Sequence, residues 1–503
     1  METALVVLYF AVLLLLCGYG VHRAHLVLLV ARNRRTLGRS AQTPEIIESE
    51  LPTVTVQLPL YNEATVVARL LEAAATFDYP RDRLEIQVLD DSSDETRAIA
   101  QAKVDELRRS GLDMVYIRRP NRVGYKAGAL DYGLDQAKGE LIAIFDADFI
   151  PQPGFLRDVV GHFRDPKVGM VQTRWGHLNR NHSMLTSIQA LMLDGHHLVE
   201  NRARFGAGLM FNFSGTGGIW RRAAIDAAGG WQHDTLTEDL DLSYRAQLAG
   251  WRFVYRPDVI TPAELPEDMS AFRAQQFRWA KGTVQTSRKL LGRVMSSSLR
   301  FSQRLEAFFH LTPHFAYPLM MLLSVLLLPA LILMPATDPR MMLVVDLPLC
   351  FGATGSLATF YIVAEKSQGR TVWDAVRRLP MLIALGAGLA PHLSRAVYEG
   401  LKSMSGEFVR TPKKGIIAGR YRQHAELPWL EIGLALLSAA SVVASLETGH
   451  WFAAPFASLF MLGYSYVAWL VVAEQVSVRR AALARASEPP AEAVEQPAMQ
   501  RAA

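Results

Sequence analysis

The sequence has 503 residues, 50% of them hydrophobic, with a formal net charge of +5 and two cysteines. Cys17 and Cys350 lie inside apolar runs with no Cys-x-x-Cys spacing, which excludes a disulfide framework or a thiolate metal site. The basic residues cluster beside apolar segments, so the positive-inside rule explains the charge and no nucleic-acid partner is expected.

Residues 5–20 form an apolar run, extended by Val21 and residues 26–30. The stretch before it carries Glu2 and no Lys or Arg, and no small-residue cleavage site follows, so a membrane anchor is expected rather than a secretory signal. Arg23, Arg32, Arg34, Arg35 and Arg39 come next. Residues 1–45 therefore read as an anchor with its N-terminus outside, followed by a cytoplasmic domain.

From 46 to 265 strand and helix patterns alternate, which predicts an α/β domain with a mostly parallel sheet. Residues 53–58 read as a strand, and Pro59-Leu-Tyr-Asn-Glu63 opens a helix reaching about Thr76. Residues 84–89 are a second strand, ending in Asp90-Asp91-Ser92-Ser93-Asp94, a cluster rich in helix N-cap residues. Residues 114–117 are a third strand, and residues 121–130 a loop running into a helix. No Gly-x-Gly-x-x-Gly follows the first strand, which disfavours dinucleotide binding.

Residues 141–149, Leu-Ile-Ala-Ile-Phe-Asp-Ala-Asp-Phe, organise the rest. The apolar start suits a parallel strand covered on both faces. Its end carries Asp146 and Asp148, where open α/β sheets bind ligands. Two such carboxylates can share one hard divalent cation, which can in turn hold a diphosphate; the alternative is a strand-ending turn. Thr237-Glu238-Asp239 then opens a helix over 238–248 with an acidic first turn.

Residues 266–305 hold a basic amphipathic helix, predicted over 268–291, of the kind that lies along a membrane surface. Residues 308–334, 341–364, 429–446 and 451–472 are long enough to span, giving five spans with the N-terminal one. Residues 379–391 are too short and are expected to be re-entrant or interfacial. That parity puts the basic loops 366–378 and 395–422 on the cytoplasmic side. The bundle is thus placed at 306–475, with a disordered, Ala-, Pro- and Glu-rich tail at 476–503.

Four clusters occur in fixed order: Asp90-Asp91, Asp146-x-Asp148, Thr237-Glu238-Asp239 and Gln275-x-x-Arg278-Trp279. With Gln57-Leu-Pro-Leu-Tyr-Asn-Glu63 and Asn121-Arg-Val-Gly-Tyr-Lys-Ala-Gly-Ala-Leu130, they make the chain resemble the membrane-embedded, processive family-2 glycosyltransferases. The likeness is to cellulose synthases and especially plant cellulose-synthase-like mannan and glucan synthases, over roughly residues 50–420. It implies a GT-A nucleotide-sugar-binding fold. Glu63 and Asp91, with Asp90 beside them, would hold the base and ribose. Lys126, Gln275 and Arg278 would serve the donor and its diphosphate, and Asp146 and Asp148 would bind Mg2+ or Mn2+. Asp239 would be the general base, with Glu238 beside it, in an inverting transfer. Trp279 would stack on the acceptor sugar.

Phe211-Asn-Phe-Ser-Gly-Thr216 resembles the family's acceptor loop, implicating Phe213, Ser214, Gly215 and Thr216. Ser214 replaces the Cys of bacterial cellulose synthases. Phe408-Val-Arg-Thr-Pro-Lys413, in the gate-like loop 400–422, resembles the gating loop whose Thr and Lys, here Thr411 and Lys413, close over the diphosphate. The implied partners are a nucleotide sugar, UDP-glucose or GDP-mannose, a β-linked polysaccharide acceptor, and the lipids of the plasma (inner) membrane. The competing reading is transfer of one sugar to a lipid acceptor.

Overall fold

The computed structural model describes residues 2–34, 38, 43–334, 354–404 and 427–487, with side chains described as far as 477. An apolar helix of 31 residues, α1 (Glu2–Arg32), leads to the α/β domain. Seven strands form one sheet, ordered β3-β2-β1-β4-β6-β5-β7. They are β1 (Val54–Leu60), β2 (Leu84–Asp90), β3 (Met114–Ile117), β4 (Leu141–Ile144), β5 (Val168–His177), β6 (Gly218–Arg221) and β7 (Arg252–Ala263). All neighbours pair in parallel except β6, which runs antiparallel between β4 and β5.

Every residue of β2 and β4 is buried, β4 being apolar throughout and β2 carrying Glu85, Gln87 and Asp90 among its apolar residues. The polar exceptions are satisfied across strands: Thr55 donates to Glu85 at 2.7 Å and Gln57 to Gln87 at 3.1 Å. The predicted helix after the first strand begins later than expected. Leu60 stays in β1, Asn62 takes a positive φ of 56°, and the helix α2 occupies Val67–Ala75. The strand predicted over 141–149 stops at Ile144, so Asp146 and Asp148 lie in the turn beyond it.

Helices α3 (Thr96–Arg109), α4 (Tyr125–Gln136), α5 (Met184–Gly195) and α6 (Glu238–Leu248) are, with shorter helical turns between them, the other main helices of this domain. Helix α7 (Met269–Met295) is longer than its predicted range. Its basic residues engage protein carboxylates rather than only a lipid surface: Arg273 meets Glu431 at 3.1 Å, Lys281 meets Glu399 at 3.1 Å and Lys289 meets Asp234 at 2.7 Å.

Then come α8 (Phe301–Leu311), α9 (Ala316–Leu333), α10 (Ser356–Lys366), α11 (Leu379–Lys402), α12 (Trp429–Glu447) and α13 (Ala453–Ser487). Among the described residues, Glu2–Arg32, Pro313–Leu333, Trp429–Glu447 and Ala453–Ser477 are long and apolar enough to cross a membrane. The span expected over 341–364 is described only from 354, and most of it lies outside the described residues. Residues 379–391 do not fold back. They are the first half of α11, which continues through Pro391 to Lys402 and packs between α7 and the helices α9 and α13. One apolar cluster joins Ile188 of α5, Phe272 of α7, Leu385 of α11 and Val467 of α13, fastening the α/β domain to the bundle.

Candidate active site

A cavity of about 180 Å³ opens at the carboxyl ends of β1 and β4. It is lined by Glu63, Asp91, Lys126, Asp146, Asp148, Ser214, Gly215, Glu238, Asp239, Gln275, Arg278 and Trp279, so residues spread over 217 positions of sequence meet in one place. Asp90 does not line it. Side chains alternate along β2, so Asp90 turns inward, 2% exposed, where it accepts from Tyr116 Oη at 2.5 Å and from the Ser92 N–H at 2.8 Å. Phe213 and Thr216 are also behind the wall, buried in the structure that shapes it. Thr411 and Lys413 lie outside the described residues.

The acceptor-like loop is held from three sides. The Phe213 N–H donates to Ser243 Oγ at 2.9 Å, and the Ser214 N–H to Gln172 Oε1 at 2.7 Å. Thr216 Oγ1 accepts from the Asp146 N–H at 2.9 Å, tying loop and acidic turn together. Gly215 has φ 82°, and a Cβ there would sit 3.1 Å from Asp239 Oδ2. A side chain would therefore crowd the carboxylate as well as strain the backbone. The Ser214 hydroxyl is buried without a hydrogen-bond partner.

Charge is concentrated here. Six carboxylates (Glu63, Asp91, Asp146, Asp148, Glu238, Asp239) face three cations, Arg122, Lys126 and Arg278. Lys126 donates to Asp146 Oδ1 at 2.5 Å and to the Gly215 carbonyl at 2.9 Å. Burial works against its ammonium, but Asp146 and Glu238 outweigh this and raise its pKa. Burial lowers that of Arg278, opposed by Glu238 and Asp146. Burial raises Glu238, tempered by Lys126. Burial, and then Glu238 beside it, push the Asp239 carboxyl up to about 7.

Asp146 and Asp148 suit a hard cation. The cavity has an excess of carboxylate, and Lys126 already answers part of it. Among the described residues no three His, Cys, Asp or Glu side chains converge as a metal cage. A cation held here would draw remaining oxygens from a diphosphate and water, as Mg2+-type ions do.

Sequence reasoning missed four contributors. Arg119 grips Asp91 from behind. Arg122 stacks over Tyr61, its guanidinium carbon 3.3 Å from the ring centroid. Gln172 props the loop, and Trp175 joins the wall. Arg122 lies within the Asn121-Arg-Val-Gly-Tyr-Lys stretch and Arg119 two residues before it, which was the available signal for both.

A second cavity of about 500 Å³ adjoins the first on the side of the helical bundle, where Tyr317 and Leu323 of α9 and Ile383 of α11 line it. Trp175, Ser214, Thr237, Asp239, Gln275 and Trp279 line both.

Residues 52–282 match the model described as glycosyltransferase like family 2. The chain is 39% identical over 300 residues to glucomannan 4-beta-mannosyltransferase 2 of Arabidopsis thaliana, covering 58% of this chain and 56% of that protein. It is 33% identical over 401 residues to probable glucomannan 4-beta-mannosyltransferase 2 of Oryza sativa subsp. japonica, covering 78% and 66%. The chain spans about half the length of the curated relatives it matches, 56% and 42% for two of them. In fold it is similar to a mannosyltransferase from Pyrobaculum calidifontis, solved in complex with GDP-Man and Mn2+. That likeness has a TM-score of 0.51 at 21% identity, covering 79% of this chain and 99% of the other.

Proposed function

The chain belongs to glycosyltransferase family 2 through residues 52–282, and from that premise we propose that it extends a β-linked, mannose-containing polysaccharide and passes it into its own helical bundle. The observation that carries this reading is that the catalytic cavity and the cavity on the bundle side share a wall that includes Asp239 and Trp279. The relatives' names favour a mannosyl donor, GDP-mannose, ahead of UDP-glucose.

In this reaction the acceptor hydroxyl oxygen attacks the anomeric carbon, forming the glycosidic bond as the bond to the diphosphate breaks. A single in-line displacement inverts the anomeric configuration. Asp239, with Glu238 beside it, accepts the proton from the hydroxyl. Lys126, Arg278 and Gln275 orient the diphosphate, Arg278 by multi-donor contact. Glu63, Asp91 and the Tyr61–Arg122 stack form the wall for base and ribose. Trp279 offers a ring to the acceptor, and the unpaired Ser214 hydroxyl offers a hydrogen bond. A divalent cation, Mg2+ or Mn2+, on Asp146 and Asp148 would neutralise charge on the diphosphate leaving group. The basic loops favour a transferase domain on the cytoplasmic side of the membrane, for which our reading is the plasma (inner) membrane.

The test is product analysis. The protein in lipid nanodiscs with Mn2+ is offered radiolabelled GDP-mannose, UDP-glucose and UDP-N-acetylglucosamine separately. A high-molecular-weight product made from GDP-mannose and degraded by β-mannanase is expected. A small product extracted into organic solvent would replace the polymerase with a glycolipid synthase.

A further inference from the structure

Three arginines approach one another outside both cavities, where the α/β domain touches the helical bundle. Arg174 lies on β5, and Arg202 opens a short helix, Arg202–Gly206, that follows a π-helical turn at His196–Asn201. Arg34 stands exposed just past the end of α1. Helix α1 packs against this short helix and against α10. Both α1 and α10 end in a basic residue, Arg32 and Lys366, so the arginines sit where the bundle gives way to the α/β domain.

The end of α10 holds two of the three. Arg202 Nη1 donates to Ser367 Oγ at 3.2 Å, and Arg174 Nη1 donates to the neighbouring Gln368 Oε1 at 3.3 Å. Arg174 Nε donates to the Pro257 carbonyl at 3.0 Å. All three acceptors are neutral. The carboxylates of the adjoining elements are engaged elsewhere: Asp194 and Glu365 pair with Arg180, Glu200 with His196 and Arg204, and Asp258 with Arg256. Among the described residues, the buried Arg202 Nε has no hydrogen-bond partner. Burial lowers the Arg202 pKa, Tyr255 opposes this, and Arg174 and Arg34 lower it further.

A guanidinium with a buried, open N–H and like charges around it is short of an anion. Arginine takes phosphate through paired N–H donors, and basic pockets beside membrane-spanning helices hold lipid headgroups. We propose that Arg34, Arg174 and Arg202 form a phosphate site that holds the headgroup of an anionic phospholipid against the ends of α1 and α10. A free phosphate offers the same oxygens, but the position favours a lipid, because α1 is long and apolar enough to cross a membrane and ends at the site. The inference depends on neither the donor assignment nor the polysaccharide reading.

The experiment counts bound lipid. The full chain, purified in mild detergent, is titrated with phosphatidylglycerol, with phosphatidylcholine and with inorganic phosphate, and native mass spectrometry reads the occupancy. Wild type is expected to retain phosphatidylglycerol in preference to phosphatidylcholine. Arg174→Gln and Arg202→Gln should each weaken that binding about tenfold or more, the scale of losing a charge-assisted contact. Arg202→Lys, which keeps the charge but not the planar fork, should recover only part of the loss. Affinity for GDP or UDP with Mn2+ should stay at the wild-type value, since neither residue lines a cavity, and this certifies the fold. Arg34→Gln, at an exposed position, serves if the other variants do not fold. Equal phosphatidylglycerol affinity in wild type and variants overturns the site, and so does equal retention of the two lipids by wild type. Displacement of the lipid by an equal concentration of inorganic phosphate would also overturn it, reassigning the arginines to a free anion.

Discussion

Lys126 Nζ lies 2.5 Å from Asp146 Oδ1, so one cation of the protein occupies the carboxylate assigned to a metal. The two cations therefore compete for the same oxygen. Lys126→Met should lower transfer by about 10²-fold or more, because a preorganised positive charge beside the diphosphate is lost. The Mn2+ concentration giving half-maximal rate should fall, because the ammonium no longer competes. Initial rates across a Mn2+ titration check both signs, and EDTA should stop turnover in wild type.

Asp239 supplies a pH dependence. Burial and Glu238 push its carboxyl up to about 7, and a base works only as the carboxylate. A raised pKa moves the active form to higher pH, so kcat/KM should rise about tenfold per pH unit below about 7 and level off above it. Asp239→Asn should remove the limb and cost about 10²–10⁴-fold in kcat, with nucleotide affinity retained. A pH–rate profile together with nucleotide titration checks this, and loss of nucleotide binding would reassign Asp239 to the donor.

Arg119 and Asp91 form a two-point ion pair, Nε to Oδ1 at 2.8 Å and Nη2 to Oδ2 at 2.5 Å, with both side chains 8% exposed. Removing one partner of so buried a pair leaves an uncompensated charge. Arg119→Met should destabilise the α/β domain by about 3–5 kcal/mol. Adding Asp91→Asn should recover part of that loss, because the two sites are coupled. Thermal unfolding of the two single variants and the double variant measures the coupling, and strictly additive effects would mean the pair is energetically idle.

The parts of the site legible in sequence are polar clusters that end strongly apolar strands or open helices. Asp146 and Asp148 stand out after Leu141–Ile144, and Glu238 and Asp239 begin α6. What stayed hidden depends on tertiary approach. Asp90 and Asp91 are neighbours of one residue type, and only the end of β2, with Asp90 its last residue and Asp91 just past it, sends one inward and the other to the cavity. Strand β6 has four residues beginning with glycine, and β5 is buried along its first half without alternation, so neither shows a period. Trp175 gains its position from the β5–β7 pairing, and the π-helical turn has no periodic signature. The interior of α11 misled for another reason. Its apolar run is short because the helix goes on past Pro391 as an amphipathic segment packed on α7.

The crossing of α11 and α13 is set by glycine at both helices. A Cβ added at Gly463 would lie 2.1 Å from the Ala384 carbonyl oxygen, and one added at Gly388 would lie 2.2 Å from the Gly463 carbonyl oxygen. The contacts are backbone atoms, which cannot swing aside as a flexible side chain would. In a lipid environment, association of helices depends on this close packing rather than on expulsion of water. Gly463→Val should therefore force the helices apart and lower thermal stability by about 1–3 kcal/mol, as overpacking does. Gly386 on the same helix meets nothing within 4 Å, so Gly386→Ala should leave stability within about 0.5 kcal/mol. Melting of both variants in nanodiscs, followed by size exclusion, separates the two. Equal melting temperatures would show that α11 shifts freely along α13, and the cavity wall formed by Ile383 would not be fixed by this crossing.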